Sequence, residues 1–268
     1  MTLNLFQHYS KIQEIHPLVH HITNTVTIND CANATLALGG RPVMADSPKE
    51  TAEMAKNASS LVINIGTLTE DAILAMKEAG RSANHHGVPV IFDPVGIGAT
   101  AFRKETGFDL LDAIHPSIIC GNMSEMKTLA GLESKSRGVD SGDSMDDADR
   151  LAKELAKKYE TVMAITGPID VVSDGERTVK LKNGHERLAD VTGTGCMTNS
   201  LIATYAGAGN TPFESAILGI LTMGICGEKA NEWSSKVNEG IGTFKVRLFD
   251  AFSLLSEEDF SRSVIEYV

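Results

Sequence analysis

Between Asp190 and Ser200 the chain runs Asp-Val-Thr-Gly-Thr-Gly-Cys-Met-Thr-Asn-Ser. Gly193 and Gly195 can take backbone angles closed to other residues, so the amides of Thr194, Gly195 and Cys196 can converge on one point at a helix start. Such a nest binds an anion, or stabilises charge that develops on a carbonyl or phosphoryl oxygen. The same triplet also fits a plain turn before a buried helix, because short glycine motifs recur by chance. Two carboxylates sharpen the choice. Asp93, before Pro94, and Glu125, in the first turn of a helix capped by Asn122, follow adjacent predicted strands. Their placement suits a magnesium ion that keeps much of its water. Each also has a structural alternative: Asp93 as a turn residue, Glu125 as a favourable partner of the helix dipole. An anion nest sharing an edge with two carboxylates is what phosphoryl transfer from a magnesium nucleotide needs.

These residues come together only if the chain folds as a parallel sheet. Leu18 to Ile22, Leu61 to Ile65, Val88 to Phe92, Ser117 to Cys120 and Thr161 to Ile165 read as short apolar strands, and helical patterns alternate with them. That alternation predicts a parallel sheet covered on both faces. Ligands of such sheets sit beyond the carboxyl ends of the strands. The residues there are Thr23-Asn24, Gly66-Thr67, Asp93-Pro94, Gly121-Asn122 with Glu125, Thr166-Gly167 and the nest. Ser47-Pro48-Lys49-Glu50 and Thr211-Pro212-Phe213-Glu214 have the spacing of capping boxes and predict two further helix starts. Gly131 to Asp143 reads as a polar surface loop. From Ile169 to Leu181, and on through Asn183-Gly184, turn signals predict antiparallel hairpins attached to the sheet. The last clear helix spans roughly Val246 to Leu255.

A chain of 268 residues, 42% hydrophobic and 22% charged, fits one α/β domain over 1–268. A formal charge of -11 argues against nucleic-acid and anionic-membrane partners. Cys31, Cys120, Cys196 and Cys226 form no C-x-x-C pair, which suits a reducing cytoplasm. The first residues lack a signal-peptide pattern, and no apolar run is long enough to span a bilayer.

Taken together, Leu18-Val19-His20-His21-Ile22-Thr23-Asn24, Pro42-Val43-Met44, Asn64-Ile65-Gly66-Thr67-Leu68, Asp93-Pro94-Val95-Gly96, Gly121-Asn122-Met123-Ser124-Glu125, Arg137-Gly138-Val139-Asp140 and the nest resemble the hydroxyethylthiazole kinases of the ribokinase-like superfamily. The match covers nearly the whole chain. It implies a three-layer α/β/α domain with a mainly parallel sheet and an antiparallel hairpin region near residues 169–190. It further implies ATP-dependent phosphorylation, with Mg2+, of the primary alcohol of 4-methyl-5-(2-hydroxyethyl)thiazole for thiamine salvage. By the same resemblance, Cys196 with Gly193, Thr194 and Gly195 is catalytic, the thiol orienting the hydroxyl and assisting its deprotonation. Met44, Gly193, Asn24 and Val26 face the thiazole; Thr166, Gly167, Cys120 and Asn122 face ATP; Asp93 and Glu125 serve magnesium. Cys120 departs from the pattern, because many relatives carry arginine there to touch the nucleotide phosphates. Either another basic residue, Lys127 or Arg137, substitutes for it, or ATP binds more weakly here. The resemblance also implies a homotrimer with active sites between subunits.

Two other functions stay open on the sequence. The fold can serve a pyridoxine-like or hydroxymethylpyrimidine alcohol if Met44 and the Val26 region favour that ring. A nucleotide-binding regulatory module without catalysis is the non-enzymatic alternative. A dinucleotide-binding Gly-x-Gly-x-x-Gly after a first strand is not present.

Overall fold

The computed structural model of the chain describes residues 4–132, 145–236 and 239–268. Arg137 and most of the Gly131 to Asp143 loop lie outside the described residues. Six parallel strands, β1 (Leu18–Ile22), β2 (Arg41–Val43), β3 (Ser60–Asn64), β4 (Val90–Asp93), β5 (Ile118–Asn122) and β6 (Val162–Thr166), stand in the order β2-β1-β3-β4-β5-β6. Three antiparallel strands, β7 (Asp170–Ser173), β8 (Thr178–Leu181) and β9 (Ile265–Tyr267), extend the sheet from β6.

Register decides which side chains share a face. Asn64 pairs with Asp93, Ile91 with Ile118, Asn122 with Thr166, and Ala164 with Val172. Side chains alternate along a strand, so Val62, Ile91, Ile118, Cys120, Ala164 and Val172 point to one face. All six belong to one apolar cluster, beneath α1 (Leu5–Ile15), α2 (Ile28–Leu38), α8 (Thr194–Gly207), α9 (Pro212–Ser235) and α10 (Ile241–Ser253). The intervening Ile63, Phe92, Ile119 and Met163 join a second cluster under α4 (Glu70–His86), α5 (Ala101–Ala113), α6 (Met123–Leu129) and α7 (Met145–Tyr159). The three-layer fold with a mainly parallel sheet is therefore as expected. Continuing the first face past the apolar residues gives Asn64, Asp93, Asn122, Thr166 and Asp170, a polar row at the carboxyl edge beside α8.

Of the two helices over that face, α8 has no charged residue and α9 has none between Glu214 and Glu228, and both stretches are deeply buried. The predicted Thr211 box opens α9: Thr211 Oγ1 accepts the Glu214 N–H at 3.3 Å, and Glu214 Oε2 accepts the Thr211 N–H at 3.1 Å. The axes of α8 and α9 approach closely because α9 has a glycine at the crossing. A Cβ on Gly219 would lie 2.7 Å from the Ile202 nitrogen and 2.8 Å from its Cα, atoms that cannot rotate away. A Gly219→Ala variant is expected to lose about 1–3 kcal/mol of stability through overpacking, seen as a lower thermal midpoint; an unchanged midpoint would show that the helices separate freely.

Three expectations change, and one helix was not foreseen. The Ser47 box does not form: the Ser47 carbonyl accepts the N–H groups of Glu50 and Thr51 at 3.0 and 3.1 Å, closing a turn, and α3 (Thr51–Asn57) starts four residues later. Helix α5 had no expectation, because Thr106 and Gly107 stand with Leu110 and Leu111 on its buried face and blur the apolar period. The region to residue 190 holds one hairpin, β7–β8, followed by a 3-10 turn over Glu186–Asp190. The strand beside β8 comes instead from the far end of the chain, since Asn183 Oδ1 accepts the Val264 N–H at 2.7 Å and its Nδ2 donates to the Arg262 carbonyl at 3.0 Å. Finally, α10 begins at Ile241, and a short α11 (Glu257–Phe260) follows it.

Candidate active site

The nest is in place at the start of α8. Gly193 is the N-cap with φ +88°, a left-handed conformation, and the first intrahelical bond is the Met197 N–H to the Gly193 carbonyl at 2.8 Å. The amides of Thr194, Gly195 and Cys196 precede that bond and carry the positive end of the helix dipole. Thr194 Oγ1 donates to the Leu188 carbonyl at 3.1 Å, tying the nest to the 3-10 turn.

Cys196 meets the polar row through two amides. Asn64 Nδ2 donates to Asp93 Oδ2 at 2.6 Å and to Cys196 Sγ at 3.2 Å. Asn24 Nδ2 donates to Asn64 Oδ1 at 3.0 Å and to the same sulfur at 3.3 Å. Burial, with the Asp93 carboxylate adding to it, pushes the Cys196 thiol up to about 12. Asp93 is itself raised from 3.8 to about 8, first by burial and then by the charge of Glu125, against hydrogen bonds from Asn64 and Asn199. Asn122 is the predicted cap, and Glu125 completes a capping box with it and also accepts the Gly96 N–H at 3.0 Å; burial raises the Glu125 carboxyl as well. Two neighbouring carboxylates of raised affinity for protons form a site that a dication would relieve. Among the described residues no three His, Cys, Asp or Glu side chains converge on a metal position, so a cation here would complete its shell with water or phosphate oxygens.

Beside the nest lies a cleft of about 620 Å³. Its walls are Thr166, Gly167 and Asp170 at the sheet edge, the Asn183 to Ala189 stretch, Thr194 and Gly195 from α8, and Ile220 and Met223 from α9. Asp170 accepts the Gly167 N–H at 2.9 Å, and burial raises its carboxyl to about 7. Asn122, exposed, caps α6 and is not among the cleft residues. Cys120 is 1% exposed on β5, below the row, and its thiol is raised well above its ordinary value by burial, with Asp93, Asp170, Glu125 and Cys196 as its titratable neighbours. On the β1 side, Met44 follows β2 and is half-buried, while Val26 lies in the turn after β1 and is 67% exposed.

Several working residues escaped the sequence analysis. Asn64 sits inside an apolar strand pattern, and only its register with Asp93 marks it out. Arg103 on α5 donates to the carbonyls of Ile65 at 2.7 Å, Gly66 at 2.6 Å and Val95 at 3.1 Å, clamping the loops after β3 and β4. Thr27 had no signal beyond a polar turn; its N–H and hydroxyl both reach Asn24 Oδ1 at 3.1 Å. His21, which pairs with Ser200 on α8 at 3.2 Å, is held neutral by burial, its pKa lowered to about 3, and ties strand to helix.

Residues 9–258 match the family model described as the hydroxyethylthiazole kinase family. The chain belongs to the hydroxyethylthiazole kinase family. It is a kinase of that family, 52% identical over 93% of its length to a hydroxyethylthiazole kinase of Alkaliphilus oremlandii, 92% of which is covered. A hydroxyethylthiazole kinase of Clostridium beijerinckii is 48% identical, over 92% of this chain and 91% of its own. The solved hydroxyethylthiazole kinase of Pyrococcus horikoshii superposes with a TM-score of 0.88 at 35% identity, covering 98% of both chains. The pyridoxal kinase of Staphylococcus aureus, solved with ADP, shares the fold at a TM-score of 0.61 and 15% identity, over 80% of this chain and 88% of that one. Among the described residues of this family member, no helix is long and apolar enough to cross a membrane.

Proposed function

We propose that this chain, acting as one domain over 1–268, transfers the γ-phosphoryl group of ATP to the hydroxyl of 4-methyl-5-(2-hydroxyethyl)thiazole. The observation that carries the reading is the Cys196–Asn64–Asp93 network at the start of α8, beside a cleft walled by Thr166, Gly167, Thr194 and Gly195. The cleft takes the nucleotide. Its phosphates lie toward the nest, where the amides of Thr194, Gly195 and Cys196 donate to the oxygens that gain charge in the transition state. Asp93 and Glu125 hold Mg2+ together with water. The ion, when bound, neutralises phosphate charge and lowers the barrier to in-line attack. The alcohol lies on the β1 side, against Asn24, Val26, Met44 and Gly193, with its hydroxyl at Cys196.

A thiol raised to about 12 keeps its proton at neutral pH, which favours the orienting role of Cys196 over proton removal. A loose phosphoryl transition state needs alignment more than an early deprotonation. The exposed apolar side chains Val26 and Leu36 at α2, and Ile241 and Val246 on α10, which packs against α2, support a homotrimer in which a neighbouring copy covers the alcohol side. Sedimentation showing only monomer at micromolar concentration would reject that arrangement.

The deciding assay combines purified protein, ATP, Mg2+ and hydroxyethylthiazole, with mass detection of the phosphorylated thiazole. A higher kcat/KM for pyridoxine or hydroxymethylpyrimidine would overturn the substrate, and ATP binding without transfer to any alcohol would overturn the catalysis. Cys120 is 1% exposed in the apolar face of β5 and is not among the cleft residues. A Cys120→Arg variant forces a guanidinium into that packed face and is expected to lose about 1–3 kcal/mol of stability through overpacking, read as a lower thermal midpoint. An unchanged midpoint with a lower KM for ATP would show instead that the new side chain reaches the phosphates.

A further inference from the structure

A carboxamide does not by itself declare which end is oxygen. In this site two backbone amides declare it, because a backbone N–H can only donate. The Gly66 N–H points at Asn64 Oδ1 from 2.9 Å, and the Thr27 N–H points at Asn24 Oδ1 from 3.1 Å. Both NH2 groups must therefore face inward. Each has two hydrogens, and the four contacts use all four: Asn24 to Asn64 Oδ1 and Cys196 Sγ, Asn64 to Asp93 Oδ2 and Cys196 Sγ. Asn24 and Asn64 are 4% and 1% exposed, so neither amide can turn to water without breaking these bonds. The sulfur thus receives one N–H from the end of β3 and another from the turn after β1. Its side-chain position is set by two elements outside its own helix.

We infer that Asn64 is a positioning residue of the phosphoryl-transfer site: through one amide it fixes the Cys196 sulfur relative to the Asp93 carboxylate. The inference rests on the reading of Cys196 as the group that orients the alcohol. Asn64 faces no part of the nucleotide cleft, so its contribution lies in turnover rather than in ATP affinity. Displacing a reacting group by about 1 Å reduces turnover by about a hundredfold, and a thiol that keeps only the Asn24 donor is free to shift by up to that order.

Asn64→Asp tests this with minimal change of shape. The aspartate keeps the oxygen that accepts from Gly66 and Asn24, and in place of the NH2 group it offers only an acceptor, so the link through this side chain between Asp93 and the sulfur is lost. kcat is expected to fall about tenfold to a hundredfold, with KM for ATP changed by less than about twofold. In a Cys196→Ala background the same substitution is expected to change kcat by less than about twofold, because the group through which it acts is gone. Equal losses in both backgrounds, or a rise in KM for ATP matching the loss in kcat, would overturn the inference. Asn64→Ser takes the place of the aspartate variant should that one not fold. Wild-type protein that phosphorylates no thiazole alcohol would overturn the functional reading instead, and a crystal structure of the variant then decides the positioning: a Cys196 side chain spread over a second rotamer supports it, and a sulfur unmoved from its wild-type place overturns it.

Discussion

Asp93→Asn is expected to lower kcat about a hundredfold to a thousandfold, the range associated with removing one group that stabilises transition-state charge, while leaving the fold intact and making it more stable toward alkaline pH. The first effect follows from position. Asp93 stands in the polar row between Asn64 and Asn122, next to Cys196, where the proposed function has it serve the magnesium nucleotide. The second effect follows from the sign of its pKa shift. Burial and Glu125 raise the carboxyl from 3.8 to about 8. Between those two values the native state holds a proton that the unfolded chain has released, so wild-type stability declines as pH rises through that window. Asparagine carries no such proton. The difference in thermal midpoint, variant minus wild type, should therefore grow from about pH 4 to about pH 8 and level off above, in buffer without divalent cations. Asp170, raised to about 7, tilts both proteins alike and drops out of the difference. Excess Mg2+ should raise the wild-type midpoint at alkaline pH and leave the variant nearly unmoved. A variant with wild-type turnover would remove Asp93 from the site, and parallel midpoint curves would show that its carboxyl titrates normally.

Gly193→Ala is expected to reduce kcat/KM about a hundredfold and to cost about 1–3 kcal/mol of stability through backbone strain. At φ +88° a Cβ is disfavoured in itself, and here it would lie 2.5 Å from Thr27 Cγ2 and 3.1 Å from Thr27 Cβ. Thr27 can retreat only by releasing Asn24, whose Oδ1 it holds by backbone and hydroxyl. Strain at the nest thereby reaches the sulfur. Gly195, two residues on, is the internal control for folding. It is helical, and an added Cβ meets nothing within 4 Å. Gly195→Ala should hold or raise the thermal midpoint, since alanine is favoured over glycine in a helix by roughly 0.5–1 kcal/mol. Matching losses of stability in the two variants would mean that the glycines share one conformational role, contrary to their backbone angles.

Much of this protein was legible in its sequence because the signals are local. Alternating apolar strands and helical runs specify a parallel sheet wherever both faces must be buried, and the residues just beyond each strand then fall on one edge. Asp93, Glu125, Thr166, Gly167 and the Gly193 to Cys196 nest were found that way. The Thr211 and Asn122 capping boxes formed because their partners lie three residues apart. Local signals failed where longer-range contacts compete with them. At Ser47 a turn took the hydrogen bonds of the expected box, and at Asn183 the side chain pairs with a segment some eighty residues downstream, so a strand from the other end of the chain occupies the place beside β8. Asn64 shows the limit most plainly. Its type and spacing are those of a strand residue, and its role exists only because the sheet register sets it beside Asp93 while α8 brings Cys196 and the β1 turn brings Asn24 to the same amide. The sequence by itself determined the layers, the edge and the chemical groups on it. Which of those groups touch, which way each amide points and how far burial shifts each carboxyl and thiol were decided by tertiary packing, because hydrogen-bond direction and desolvation depend on neighbours that are remote in the chain.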